Sequence, residues 1–250
     1  MSFSPALAHR QRILASIAGG ASTAAPGAAP MPTEGPVATE YQQLLMALGE
    51  DLRKLQAIQS VERKIEAKRG MISAYLPWVE GALAGDGGAQ DEIVVTLLIW
   101  AIDIADWPLA LSLARYVLAH RLALPERYSR KPATLIVEEV AEAGLAKDPA
   151  IDLDTLQQFA VLTADADVFD QVRAKLVKAI GLALKAGAET FDATADSAPA
   201  GGKPALVEAA LAHFRRALAL DAKCGVKKLI EALEREQKKL AEPQTPETRP

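Results

Sequence analysis

The sequence predicts an all-α fold, and three observations support that prediction. Half of the residues are apolar but only 5% are aromatic, so the apolar content is mostly Ala, Leu, Val and Ile. Apolar residues recur at spacings of three and four along most of the chain, which is the periodicity of amphipathic helices. Glycine and proline cluster between those stretches, as is typical of turns. The expected architecture is a long oligomerisation helix followed by packed helical hairpins.

The two ends of the chain are predicted to be loosely held. Residues 2–17 have the pattern of a short amphipathic helix, and residues 18–36 are almost entirely Gly, Ala, Ser, Thr and Pro. Such a composition buries too little apolar area to offset the entropy of ordering. We therefore expect residues 1–36 to form a short helical arm on a flexible linker. Residues 242–250, which are rich in proline, are expected to form a disordered tail.

A single long helix is predicted over residues 37–72, which contain no proline. Its apolar residues first alternate spacings of four and three, as in a coiled coil. The seam then shifts by one residue at Ile58, which suits packing within a bundle or ring. Because such a seam would stay partly exposed in a monomer, we expect it to mediate oligomerisation. The candidate residues are Tyr41, Leu45, Leu48, Leu52, Leu55 and Ile58.

The rest of the chain is predicted to fold into a helical body over residues 73–190 and a C-terminal hairpin over 200–241. Helices are expected at 73–84, 89–104, 107–121, 133–146, 153–163, 168–186, 203–220 and 224–241. Asp106 is a suitable N-cap, with Pro108 in the first turn. Two segments, near 97–119 and 180–220, resemble helical-hairpin repeats. Either they form a peptide-binding solenoid, or they show the small/large alternation that packed helix pairs require, which we favour.

Charge is unevenly distributed along the chain, although the net charge is only -4. Residues 53–69 contain six bases and two acids, whereas residues 132–200 contain twelve acids and five bases. A nucleic-acid partner responds to the local field, so the acidic average does not exclude one. Phosphate contact requires charge rather than a particular motif. The DNA-binding candidates are Arg53, Arg63, Lys64, Lys68, Arg69, Arg127, Arg130 and Lys131.

No catalytic or metal-binding pattern is found in the sequence. The three histidines lie far apart, and the one cysteine, Cys224, excludes a disulfide framework. The Gly201-Gly202-Lys203 run lacks the first glycine of a phosphate-binding loop and is followed by Pro204. The acids at 165–170 and the pair Asp103 and Asp106 are interpreted as helix caps rather than magnesium ligands. We therefore expect neither a cofactor nor a metal.

A group of idiosyncratic residues carries a family resemblance. The main motifs are Leu76-Pro77-Trp78-Val79-Glu80-Gly81, Gly87-Gly88-Ala89-Gln90-Asp91-Glu92, Ala114-Arg115-Tyr116 and Thr163-Ala164-Asp165-Ala166-Asp167. In these the chain resembles the small terminase subunits of temperate contractile-tailed phages, the gpM type. The resemblance covers most of the chain and is densest from residue 76 to 132.

That resemblance implies a role in phage DNA packaging. The expected protein is a non-catalytic subunit that binds double-stranded packaging-site DNA, recruits the large terminase subunit and assembles as a homo-oligomeric ring in the host-cell cytoplasm. The family is often labelled an endonuclease subunit, which we assign to the holoenzyme. Two alternatives remain: a helical-repeat adaptor without a DNA role, and a metal-dependent endonuclease. No apolar run is long enough to span a membrane.

Overall fold

The computed structural model describes residues 4–19, 28–126, 128–147, 149–192 and 201–241. Within them it has eleven helices and a single isolated β-bridge, between Ala29 and Ala89. The all-α prediction is therefore confirmed. The helices belong to two compact units, one ending at Pro132 and the other beginning at Ala133. None of the described helices is both long and apolar enough to cross a bilayer.

The first unit contains six helices: α1 (Pro5–Ser16), α2 (Gly35–Ala57), α3 (Val61–Ile72), α4 (Leu76–Gly85), α5 (Glu92–Asp103) and α6 (Trp107–Ala119). Helix α5 is its centre, since ten consecutive residues from Ile93 to Ile102 are buried. Burial on every face explains why this helix shows little amphipathic alternation. The expected cap is confirmed at Asp106, whose Oδ1 accepts a hydrogen bond from the Leu109 amide at 3.2 Å.

The second unit contains α7 (Pro132–Leu145), α8 (Leu153–Leu162), α9 (Asp170–Glu189), α10 (Gly202–Leu220) and α11 (Lys227–Ala241). Helices α9 and α10 form an extensive antiparallel pair, and α11 packs on α10. A Cβ at Gly181 would lie 2.7 Å from the ring of the fully buried Phe214. The alternation of small and large residues in 180–220 therefore serves close helix packing. The residues predicted as one body, 73–190, are divided between the two units.

The predicted long helix over 37–72 is wrong as a single element, because α2 ends at Ala57 and α3 begins at Val61. Ile58 has an extended backbone, with φ -87° and ψ 126°, and Ser60 caps α3 by accepting the Arg63 amide at 3.4 Å. The one-residue shift of the apolar seam marks this break. Helix α2 buries Tyr41, Leu44, Leu48 and Leu55, whereas in α3 only Ile72 is buried and Val61 is 71% exposed. The apolar seam therefore does not continue into the core beyond the break.

The prediction of a free N-terminal arm is also wrong. Helix α1 packs along α4, and the contact depends on two glycines of α4. A Cβ at Gly81 would lie 2.2 Å from the Arg12 carbonyl oxygen, and one at Gly85 would lie 2.1 Å from the Ser16 carbonyl oxygen. Part of the expected linker over 18–36 is ordered too, since Ala29 is buried and pairs with residues 88 and 90. Residues 20–27 and 242–250 lie outside the described residues.

Candidate nucleic-acid interface

The motif around Trp78 positions the helices of the first unit. The Trp78 side chain is fully buried, and its Nε1 donates a hydrogen bond to Asp91 Oδ2 at 2.7 Å. The other oxygen of Asp91 caps α5 by accepting the amides of Ile93 and Val94. Tyr41 of α2 stacks on the Trp78 ring, with centroids 5.6 Å apart. The motif thus connects α2, α4 and α5 and holds the walls of the site described next.

Burial raises the pKa of Asp91 to about 6, and the three hydrogen bonds to its ionised form only partly oppose that rise. Nearby, the Tyr41 hydroxyl accepts a hydrogen bond from the Glu92 amide at 2.9 Å. Burial is also the main reason why the pKa of Tyr41 is raised. These polar groups lie inside the helical frame, where they fix the helices rather than face a ligand.

A cleft of about 250 Å³ lies where α3 crosses α2 and α5. We call it the basic cleft, because two lysines of α3 line it. Its wall also includes apolar residues of α2, the side chains of Trp100 and Asp103 on α5, and Tyr128 of the connector before α7. The lining residues are Leu52, Leu55, Gln56, Lys64, Lys68, Ile99, Trp100, Asp103 and Tyr128.

The two lysines of the basic cleft differ in their electrostatic surroundings. Lys68 Nζ forms an ion pair with Asp103 Oδ2, and both side chains are partly buried. Lys64 has no acidic side chain within ion-pair distance among the described residues, and it stays half-buried. Its positive charge is therefore the one within the cleft that is available to an anion. Asp103, which we predicted to be a helix cap, instead neutralises Lys68, whereas Asp106 forms the cap.

The remaining basic candidates differ in exposure and in whether an acidic group neutralises them. Arg53 and Arg63 are exposed and, among the described residues, have no acidic partner. Arg69 is partly compensated, because it pairs with Glu66 at 3.6 Å and donates to the Ile104 carbonyl at 3.4 Å. Arg130 and Lys131 are exposed but take part in other interactions. Arg127 lies outside the described residues.

The predicted oligomerisation residues are largely covered by their own unit. Tyr41, Leu48 and Leu55 are buried, while Leu45, Leu52 and Ile58 are half-buried. The argument from an exposed seam therefore fails, although self-association stays a prediction. Two large apolar side chains of these helices are exposed instead: Met46 on α2 is 66% exposed and Val61 on α3 is 71% exposed.

The acidic turn in the second unit is organised differently from the prediction. Residue Phe169 occupies the N-cap position of α9 without a side-chain cap, and Asp170 lies in the first turn, where it complements the helix dipole. The turn is held from outside by Arg173, whose guanidinium donates to Thr163 Oγ1, the Thr163 carbonyl and the Ala166 carbonyl. The described residues contain no group of three or more His, Cys, Asp and Glu able to hold a metal ion.

The fold and the site define a helical protein that presents uncompensated positive charge beside an aromatic-lined cleft. Comparison with known proteins identifies the family. The family model for the phage small terminase subunit matches residues 45–171. The chain is 41% identical over 244 residues to a protein of Escherichia phage P2 named "Terminase, endonuclease subunit", which covers 96% of this chain and 88% of that protein. This chain therefore belongs to the phage small terminase subunit family, which acts in phage DNA packaging.

A second relative is more distant. It is 25% identical over 202 residues, covering 77% of this chain and 68% of its own length, and is named "Probable terminase, endonuclease subunit" of Haemophilus phage HP1. No solved structure matches the chain. The resemblance deduced from the sequence motifs is confirmed.

Proposed function

We propose that this chain is the non-catalytic subunit that binds packaging-site DNA and recruits the large terminase subunit in the host-cell cytoplasm. Family membership supports the packaging role. The observation that supports DNA contact at a particular surface is the group of three bases, Arg53, Arg63 and Lys64, at the break between α2 and α3. Because no acid of the described residues pairs with them, their charges can be matched by phosphates at little desolvation cost.

Sequence-independent phosphate contact fits this geometry better than base reading does. Side chains that read bases must enter a groove from an exposed helix face or strand pair. The basic cleft is instead concave, and its aromatic floor residue Trp100 is only 2% exposed. We propose that α3 lies along a DNA backbone and that assembly of several copies multiplies weak contacts into useful affinity.

Native mass spectrometry of the purified chain, with and without duplex DNA containing the packaging site, tests the proposal. We expect a mass several times 26.6 kDa and an additional species that carries DNA. A monomer that ignores DNA at micromolar concentration would contradict both parts. The variant with Arg53, Arg63 and Lys64 changed to Ala should keep the oligomer and show much less of the DNA-bound species, which separates assembly from DNA contact.

The naming of both relatives as endonuclease subunits supports a second candidate, in which the chain itself takes part in cleavage. Incubation of the isolated chain with supercoiled DNA and magnesium separates the two. We expect no nicking by the pure chain and cleavage after the large subunit is added. Cleavage by the pure chain at its packaging site would establish the second candidate instead.

A further inference from the structure

The connection between α8 and α9 in the second unit presents apolar side chains at the surface. Val161, in the last turn of α8, is 77% exposed, and Phe169, which directly precedes α9, is 68% exposed. They are the two most exposed large apolar side chains among the described residues of this unit. Val168 and Val172 beside Phe169 are half-buried. We call these four residues the apolar corner, because apolar side chains grouped on a surface mark interaction sites.

Hydrogen bonds hold the apolar corner in one conformation. The Arg173 guanidinium donates to the carbonyls of Thr163 at 2.7 Å and Ala166 at 3.0 Å. The backbone amide of Arg173 donates to the Phe169 carbonyl at 3.0 Å. Thr163 is itself fully buried, and its hydroxyl donates to the Phe159 carbonyl. One arginine therefore joins the end of α8, the turn and the start of α9, so a partner would meet an ordered surface and lose less entropy on binding.

The charge around the apolar corner is negative. Residues 150–172 contain five acids and no base. Asp165 and Asp170 are exposed and have no ion-pair partner among the described residues. The next two bases along the chain are engaged, because Arg173 binds the turn and Lys175 Nζ lies 3.2 Å from a Glu142 carboxylate oxygen. A complementary partner for this surface therefore carries apolar and basic side chains together.

This chemistry excludes DNA and disfavours a second copy of the chain. Phosphates would be repelled by the acids of residues 150–172. A second copy offers exposed bases next to an exposed apolar side chain at the break between α2 and α3, where Arg63 and Lys64 follow Val61. Those bases are assigned above to DNA. The remaining partner of the proposed function is the large terminase subunit.

We propose that the apolar corner docks a basic, amphipathic segment of the large terminase subunit. Apolar side chains of that segment would cover Val161 and Phe169, and its lysines or arginines would face Asp165 and Asp170. The inference rests on the proposed recruitment of the large subunit and adds the surface that performs it. It also gives the two units separate partners, with DNA at the first and the large subunit at the second.

Binding of the purified large subunit to the full chain, measured by biolayer interferometry, tests this assignment. The variant with Val161 and Phe169 changed to Ser should bind roughly tenfold more weakly. Its free energy of unfolding should stay near the wild-type value, because both side chains are already exposed. The matched control has the exposed Met46 and Val61 of the first unit changed to Ser, and it should bind normally.

A pair of charge reversals tests the electrostatic part. Asp165→Lys should weaken binding of the large subunit about threefold at low salt, and by less at high salt, where exposed charges are screened. Glu231→Lys makes the same charge change at an exposed position of α11 and should have no effect. Equal weakening by the two reversals would mean that net charge, rather than the apolar corner, attracts the large subunit, which overturns the proposal.

The outcomes separate this inference from the proposed function. Normal binding by the Val161 and Phe169 double variant would overturn the docking surface and leave recruitment intact. No binding by the wild type would contradict recruitment itself, and the docking surface with it. Two further measurements on the double variant identify other occupants. Loss of the oligomer in native mass spectrometry would assign the apolar corner to a second copy, and loss of DNA binding would assign it to DNA. Either result overturns the proposal.

Discussion

The basic cleft and a second cleft of about 460 Å³ are both lined by residues of α2 and α3, yet their charges differ. We call the second one the acidic cleft, because Glu40, Glu50 and Asp51 line it with a single lysine. Asp51 and Lys54 of α2 line the acidic cleft, while Leu52 and Leu55 line the basic one. One residue along a helix turns the side chain by about 100°, so neighbours in sequence face different clefts. The charge of each site is therefore determined by position around the helix, and the average charge of a segment does not reveal it.

The two clefts are also connected by an aromatic contact. The ring of Tyr75, which lines the acidic cleft, packs edge to face on Trp100, which lines the basic cleft, with centroids 6.0 Å apart. Both clefts rest on the same buried frame around Trp78 and Asp91. Changes to this frame should disturb both clefts together. A change to α1 should affect the acidic cleft alone, and a change to Asp103 should affect the basic cleft alone.

The largest effect that distinguishes the two clefts is expected from Gly81→Ala. Its new Cβ would lie 2.2 Å from the Arg12 carbonyl oxygen, so α1 must shift away from α4. We expect a loss of about 3 kcal/mol in the free energy of unfolding, measured by urea denaturation. Because Leu7 and Gln11 of the acidic cleft belong to α1, backbone hydrogen exchange in α1 should rise while DNA binding persists. Gly49→Ala is the control. Loss of DNA binding together with the faster exchange in α1 would show that the two clefts are not independent.

The shared frame is expected to give a specific pH dependence. Burial raises the pKa of Asp91 to about 6, so the folded state holds this proton more tightly than the unfolded chain, whose Asp titrates near 4. The contribution of Asp91 to stability is therefore greatest below about pH 4 and falls by roughly 2 kcal/mol as the pH rises to about 6.

Asp91→Asn tests this dependence of stability on pH. The difference in unfolding free energy between the wild type and this variant should change between pH 4 and 6, and then level off. Asp165→Asn, at an exposed position, is the matched control and should follow the wild type throughout. A constant difference between the wild type and Asp91→Asn across this range would mean that the buried carboxylate is not protonated in the folded chain.

Arg173→Met should affect stability without affecting either cleft. The variant removes three hydrogen bonds that hold the turn at residues 163–166, and we expect a loss of about 2 kcal/mol. Hydrogen exchange should rise at Ala164 and Ala166, while DNA binding stays at the wild-type level. Arg216→Met, at an exposed neighbouring base, serves as the control. Weakened DNA binding in Arg173→Met alone would place a DNA contact in the second unit.

The smallest effect is expected from Asp103→Asn, which releases the charge of Lys68 within the basic cleft. DNA affinity, measured by fluorescence anisotropy, should rise about two- to threefold, and the salt dependence should steepen by about one phosphate. Glu231→Gln makes the same charge change at an exposed position in the second unit. If both variants bind DNA alike, net charge rather than the basic cleft determines affinity.

Local patterns in the sequence were sufficient to predict most helices, because periodicity, Asp106 and the glycines all act over a few residues. The break at 58–60 is visible in the sequence as a shift of the apolar seam, but such a shift alone does not distinguish a bent helix from a broken one. The docking of α1 was missed because Gly81 and Gly85 form its receiving surface about 70 residues away. For the same reason, sequence grouped Lys64 with Lys68 but did not reveal that Asp103 neutralises Lys68 alone.

The salt dependence of DNA binding by two charge-matched triple variants tests the central claim most directly. One has Arg53, Arg63 and Lys64 changed to Ala, and the other has the exposed Lys223, Lys227 and Lys228 changed to Ala. If α3 and its cleft contact phosphates, the slope of log affinity against log salt should be shallower by about two to three in the first variant than in the wild type. The second should keep the wild-type slope. Equal slopes in the two variants would contradict the account.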